Sequence, residues 1–223
     1  MIFELHSHTR FGSRCSYQHP EELIVQAKKV GLDGVGFTDH DAAWDRATLS
    51  DLSKEYGLLV IGGMEVSTSL GEILVFGIHE PLLEVTDPLD LRKVVDRVGG
   101  VMVAAHPFRG ARFSRTGYYA QEGLTVEEAC ERPIFEIVDG AEVFNGMAYD
   151  EEWLFTREVL RRLNMKGTGG SDTHQIDSVG ICVTVFDRRN ESQEQFIEEF
   201  KAGRFQAEHR VCRAVYRANG HRA

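Results

Sequence analysis

The chain of 223 residues predicts an α/β fold, a parallel sheet or barrel in one domain spanning residues 1–223. Two observations predict it. Apolar, strand-like runs alternate with segments patterned and punctuated as helices, which is how βα units read. Acidic and imidazole side chains also recur wherever an apolar run ends: His6-Ser7-His8, Asp39-His40, Glu65, His106 and Asp172-Thr173-His174. In an α/β barrel the C-terminal ends of the strands open on one face, so residues placed there converge. The length accommodates seven strands better than eight, and the recurring residues predict one polynuclear metal centre.

The first strand is Ile2-Phe3-Glu4-Leu5. A helix follows over Pro20–Gly31, with proline and acids at its start, lysines in its last turn and glycine at its stop. Val35-Gly36-Phe37 reads as the next strand, then Arg46 to Tyr56 as a helix and Leu58-Leu59-Val60-Ile61 as a strand. Ile73 to Ile78 is a further apolar strand, Leu89 to Val98 a helix, and Val101-Met102-Val103-Ala104 a strand. Pro107 to Gly123 lacks periodicity and is rich in Arg, Gly, Ser and Tyr; a loop of this length is commonly functional, here as a lid facing substrate. Helices are expected at Thr125–Cys130, Glu151–Leu163 and Ser192–Ala202, and strands at Ala141–Phe144, Lys166–Thr168 and Val179–Phe186.

Composition excludes several classes. An apolar content of 42% with 27% charged residues is that of an ordinary globular protein. No apolar run approaches the roughly 18 residues of a membrane span. The cysteines at 15, 130, 182 and 212 lack C-x-x-C spacing, and Met-Ile-Phe-Glu carries no signal-peptide pattern, so a reducing cytoplasm is expected. A net charge of −10 works against extended duplex nucleic acid, whose binding is dominated by phosphate neutralisation. Basic residues do cluster at Arg109, Arg112 and Arg115, beside His106, and in the tail from Phe200, where six Lys/Arg face one acid. The tail reads as a solvated edge, whereas the arginines after His106 adjoin the expected centre.

His6 and His8 lie two apart and project to one side of an extended backbone, able to grip one cation together. Imidazole and carboxylate suit Zn, Mn or Fe, and a carboxylate such as Glu65 can bridge two ions roughly 3.5–4 Å apart. Asn145, at the end of Ala-Glu-Val-Phe, is placed to contact substrate or to satisfy loop backbone groups. Trp44 reads as a packing residue before a stacking one. His19, His209 and His221 lie away from the pattern and read as surface residues.

At these same residues the sequence resembles the PHP (polymerase and histidinol phosphatase) domain family. The matching motifs are Glu4-Leu5-His6-Ser7-His8-Thr9, Gly34-Val35-Gly36-Phe37-Thr38-Asp39-His40-Asp41, Gly63-Met64-Glu65-Val66-Ser67-Thr68, Ala104-Ala105-His106-Pro107-Phe108 and Gly169-Gly170-Ser171-Asp172-Thr173-His174, in the family's order. The resemblance implies a distorted (β/α)7 barrel with two or three divalent ions (Mn, Fe or Zn) at its C-terminal face, hydrolysing phosphate esters through a hydroxide between the ions. It implies that His6, His8, Glu65 and Asp172 hold the first ion, that Glu65 bridges to a second ion also bound by His106, and that His40 and His174 face a third. Asp39 is implied as an orienting carboxylate. The chain departs from the family at Gly12-Ser13-Arg14-Cys15-Ser16, where an acid or histidine is common, and at Glu72, where histidine is common. Glu72 can still ligate the second ion, with His79 as substitute in another strand register. Cys15 reads as a plain reduced cysteine before a thiolate ligand.

For the chemistry, Glu65, Asp172, His174 and Arg109 are the expected catalytic residues. Arg109 is the first candidate for the phosphate, with Arg10 and Arg112 behind it. His174 is one candidate to assist the leaving group. The expected function is a phosphoesterase acting on a nucleotide or small phosphorylated metabolite. A 5′-3′ exonuclease on short RNA or DNA is the first alternative, using the basic loop as an electrostatic funnel, and a noncatalytic metal- or partner-binding module the second.

Overall fold

The computed structural model describes residues 1–40, 42–82, 85–109 and 123–210. Its strands are β1 (Ile2–Glu4), β2 (Gly34–Phe37), β3 (Leu59–Thr68), β4 (Gly71–Phe76), β5 (Val101–Ala104), β6 (Gly140–Asn145), β7 (Gly167–Gly170), β8 (Cys182–Phe186) and β9 (Phe205–His209). The helices are α1 (Pro20–Lys29), α2 (Arg46–Tyr56), α3 (Pro88–Val98), α4 (Val126–Cys130), α5 (Ile134–Ile137), α6 (Asp150–Leu163) and α7 (Gln193–Lys201), with a 3-10 turn at Ile176–Ser178. The helix signals mark real ends. Asp45 caps α2 by accepting the Thr48 N–H, Asp87 caps α3, and Gly57 and Gly99 close these helices in the left-handed region.

All nine strands form one sheet in the order β7-β6-β5-β4-β3-β2-β1-β8-β9. β1, β2 and β3 pair in parallel, as do β5, β6 and β7. The expected strict alternation fails at two places. β3 and β4 form an antiparallel hairpin in which Thr68 opposes Gly71, and β8 runs antiparallel to both β1 and β9. Connection length accounts for the first: two residues close the β3–β4 hairpin, whereas a parallel crossover needs a dozen or more. Seven strands therefore share one direction, with β4 and β8 reversed among them. The expectation missed β9 and α5 and began the last of its strands at Val179, three residues before β8.

The sheet is nearly closed. β7 meets β8 where Thr184 Oγ1 accepts the Gly169 N–H at 3.0 Å and donates to Gly169 O at 2.9 Å. A Cβ at Gly169 would stand 2.4 Å from Val183 O, so only glycine permits this approach. An aromatic cluster of Phe3, Phe76, Phe186 and Phe196 ties β1, β4 and β8 to α7, with ring centroids 5.2–6.1 Å apart. Burying each such ring contributes about 1.5–3 kcal/mol. α1 and α2 pack Leu23, Ile24, Ala27 and Leu49 against Val35, Phe37 and Val60 on one flank. On another, Leu91 and Val95 of α3 and Phe155, Val159 and Leu160 of α6 cover the β4–β7 region.

Two isolated bridges continue the sheet past the strand ends, Ser7 to Thr173 and His40 to Glu65. His8 N–H donates to Thr173 O, and Thr173 N–H to His6 O. The segments carrying the ligand-type side chains are thereby pinned to one another at the open end of the barrel.

Candidate metal centre

Strand direction brings the sequence-predicted residues together. His6 and His8 follow β1, His40 follows β2, Glu65 lies on β3, His106 follows β5, and Asp172 and His174 follow β7. Glu72 reaches the same end because β4 is reversed and starts there, opposite Ser67. Glu65 lies at the middle. Its Oε2 is 3.3 Å from His6 Nε2, 3.4 Å from His8 Nε2 and 3.2 Å from His40 Nδ1, and its Oε1 is 3.0 Å from His106 Nε2. Asp172 Oδ1 lies 3.2 Å from His8 Nε2 and 3.5 Å from His6 Nε2. Glu72 Oε2 is 3.5 Å from His106 Nε2. The His8 ring stacks between those of His40 and His174, at 4.5 and 4.4 Å.

The donors fit divalent ions. Among the described residues, buried His6 Nε2 has no hydrogen-bond partner although two carboxylates stand within 3.5 Å of it. A ring nitrogen converging with carboxylate oxygens without hydrogen-bonding them is suited to sharing a cation. Among the described residues, four sets of side chains bring their donor atoms within 4.8 Å of one another: His6/His8/Asp172, His6/His106/Glu142, His40/Glu65/Glu72 and His8/Cys15/His40/His174.

The electrostatics agree. Burial opposes charge at His6, yet the carboxylates of Asp172, Glu142 and Glu65 outweigh it and hold its pKa well above the usual imidazole range. Burial likewise opposes ionisation of Glu65 and Asp172, but the neighbouring His6 prevails and holds both carboxyls below their usual range. At His8 burial prevails and lowers the imidazole pKa, which favours the neutral ring a metal requires. This field of buried acids attracts positive charge.

Two residues of the cluster carry unusual backbone. His106 has φ 29° and Asp172 φ 51°, in the left-handed region that non-glycine residues seldom adopt. The neighbours hold them there. Glu142 Oε2 accepts the His106 N–H at 2.9 Å, and Ser171 N–H donates to Glu4 Oε1 at 2.8 Å.

Sequence reasoning missed Glu142 and Glu4. Glu142 accepts from His6 Nδ1 at 3.0 Å, which fixes the ring and turns Nε2 toward the cluster. Glu4, buried on β1, accepts the N–H groups of His6, Ser171 and Gly180 and ties β1 to β7; burial raises its carboxyl to about 7. The available signal was an acid inside an apolar strand in each case, Ile2-Phe3-Glu4-Leu5 and Ala141-Glu142-Val143-Phe144.

The remaining residues sort by what they touch. Asp39 is consumed by the Thr9 N–H and hydroxyl, the Ser13 hydroxyl and the Trp44 indole N–H, so it shapes the loops around the cluster, and Trp44 serves packing and this bond. His79 bonds Trp44 O and Gln193, apart from the donor sets, whereas Glu72 belongs to one of them. Asn145 is buried, donating to the carboxylates of Glu142 and Asp172 and accepting from the Met147 N–H. Arg109 pairs with Asp172 and lies 3.8 Å from Glu72 at the rim. Arg10 instead pairs with His19 at the surface. Arg112, Arg115, His221 and most of the expected lid lie outside the described residues.

A cleft beside the cluster is lined by Gly71, Glu72, His106, Arg109, Arg132 and Ile134, among others. Arg132 was not singled out by the sequence. Its guanidinium lies 5.1 Å from the Phe108 ring centroid and donates to Pro107 O, and it has no carboxylate partner among the described residues.

The barrel-like sheet and this end-face cluster define the class, a barrel-like α/β domain whose donor sets could hold metal ions. Residues 4–124 match the PHP domain and residues 155–205 the PHP-associated segment, and the chain belongs to the PHP domain family. It is 26% identical over 173 residues to an uncharacterized protein of Methanocaldococcus jannaschii, a match covering 73% of this chain and 91% of that protein. Over 86 residues it is 31% identical to the error-prone DNA polymerase of Cutibacterium acnes, covering 39% of this chain but 7% of the polymerase. Among solved structures, PsfC from Pseudomonas syringae superposes with a TM-score of 0.65 at 15% identity, over 94% of this chain and 91% of PsfC. The lesion-specific endonuclease EndoQ of Pyrococcus furiosus gives 0.59 at 14% identity, over 93% of this chain and 58% of the endonuclease. At these identities the structural likeness concerns the fold. No helix among the described residues is long and apolar enough to cross a membrane.

Proposed function

We propose that this chain hydrolyses a phosphate ester of a nucleotide or a small phosphorylated metabolite, with His6, His8, His40, Glu65, Glu72, His106, Asp172 and His174 holding two or three divalent ions of Mn, Fe or Zn. The observation that carries this reading is Glu65, whose two oxygens lie within 3.4 Å of four imidazoles on three different chain segments. Such ions, when bound, supply Lewis-acid activation of water and of a phosphoryl oxygen at neutral pH.

The chain's own residues do the rest. Glu142 and Asn145 orient His6 and Asp172 from beneath. Arg109, half-exposed at the rim, and Arg132 in the adjoining cleft would bind the substrate phosphate and stabilise charge developing on its oxygens. When the His174 ring donates Nδ1–H to Asp172 O, 3.0 Å away, its Nε2 keeps a lone pair and carries no proton. That tautomer suits a metal ligand better than an acid for the leaving group.

The acidic body favours small substrates over long polyanions, with a net charge of −10 over the whole chain. The exonuclease alternative draws on the basic Arg109–Arg115 stretch of the sequence.

The deciding experiment incubates Mn-loaded protein with a short 5′-phosphorylated oligonucleotide and, separately, with mononucleotides and small phosphate esters, beside chelator-stripped protein. Metal-dependent phosphate release from the small esters supports the proposal. Mononucleotides trimmed from the 5′ end would replace it with the exonuclease reading, and no metal-dependent hydrolysis of any ester would refute both.

A further inference from the structure

The segment between His8 and α1 passes directly over the cluster and is fixed there by its own side chains. Ser13 Oγ contacts Asp39 at 2.7 Å and His8 Nδ1 at 3.2 Å, and it accepts the His40 N–H at 3.0 Å. Ser16 Oγ donates to His8 O at 2.8 Å. Gly12 lies so close to Asp39 that a Cβ would stand 2.3 Å from that side chain. Between these anchors is Cys15, a free and exposed thiol whose sulfur lies within 4.8 Å of ring nitrogens of His8, His40 and His174. The neighbouring His6 Nε2, buried and without a hydrogen-bond partner among the described residues, belongs to the adjoining donor set that shares His8.

We propose that Cys15 is a thiolate ligand, completing with His40 and His174 a sulfur-nitrogen site for a thiophilic divalent ion such as Zn or Co, at the rim of the proposed metal centre. The inference rests on that metal-centre reading. His8 is shared, since its Nε2 already faces Asp172. Sulfur and imidazole form a softer donor set than the neighbouring His40/Glu65/Glu72 group, so the two ends of the cluster differ in the ion they prefer. Binding would displace the thiol proton to solvent, leaving a sulfur anion bonded to the ion. It would also bury the lone pair on which alkylation depends.

The test loads the reduced, full-length protein with Co(II) and records thiolate-to-cobalt charge transfer in the near ultraviolet together with cobalt content. The expected result is a charge-transfer band that Cys15→Ser abolishes and Cys130→Ser leaves intact. Loss of a direct ligand should also weaken Zn binding at this site at least about tenfold, since even partners behind the ligands cost roughly 10–100-fold. Iodoacetamide labelling of Cys15, read by peptide mass, should slow at least about tenfold when Zn is present, a fold-change that follows from that occupancy. Cobalt bound without the band, or a band unchanged in Cys15→Ser, would overturn the ligand role and leave the metal centre standing. No cobalt bound at all would overturn both.

Discussion

Replacing Glu65 by Gln keeps the shape of the side chain and removes its charge. Glu65 is 1% exposed, so solvent offers little compensation, and its oxygens serve His6, His8, His40 and His106 together. A unit charge pair at about 4 Å with an effective dielectric constant of about 20 is worth about 4 kcal/mol, which at 1.4 kcal/mol per decade is roughly a thousandfold in cation affinity. Partial relaxation makes a loss of about two to three orders of magnitude the expected outcome, matching the cost of breaking buried charge pairs of about 3–5 kcal/mol. The assay is metal content after dialysis against a graded chelator buffer, beside phosphate release from a small ester, with the circular dichroism spectrum as the fold control. A folded Glu65→Gln protein that retains wild-type metal content and turnover would refute the bridging role and the metal centre built on it.

Gly170→Ala tests the support under His6, because the added Cβ would meet Glu142 Oε1 and His6 Cβ, both at 2.5 Å; a loss of metal affinity of about 10–100-fold is expected by equilibrium titration. Arg132→Ala should raise KM for a phosphorylated substrate about 10–100-fold with a smaller change in kcat, the value of a charge-assisted hydrogen bond of about 1.5–3 kcal/mol, and Arg132→Lys should recover part of it. An unchanged KM would remove Arg132 from phosphate binding. In chelator-treated protein, His6 has a pKa raised above 6.5 by its carboxylate neighbours against the opposing effect of burial, so its contribution to stability is complete below pH 6.5 and is lost as pH rises through the folded value. Thermal midpoints should therefore fall above about pH 6.5, and Glu142→Gln should flatten that fall; an equal slope in the variant would count against the coupling.

How much was legible in the sequence differs element by element. α2 spans Arg46–Tyr56 as expected because Asp45 and Gly57 announce its ends in local chemistry, and β1 and β5 are short apolar runs whose ends coincide with polar ligand-type residues. The β3–β4 hairpin was less legible, since two apolar runs look alike whether they pair head to tail or in parallel. Only the short span from Thr68 to Gly71 carried the difference. β9, with alternating burial near the end of the chain, lacked an apolar run to mark it.

By itself the sequence determined which side chains terminate strands, and hence that imidazoles and carboxylates would gather at one end of the barrel. Periodicity and capping are properties of neighbouring residues, and so is the H-x-H pair. Tertiary structure decided the rest. Glu142 meets His6 across 136 positions and Arg109 meets Asp172 across 63, contacts created only when the sheet curls toward closure. The reversed β4 turns Glu72 toward His106, and the anchored loop after His8 brings the Cys15 sulfur to the imidazoles of His40 and His174. Distance in space between residues remote in the chain is set by strand order and direction, which local sequence patterns do not encode.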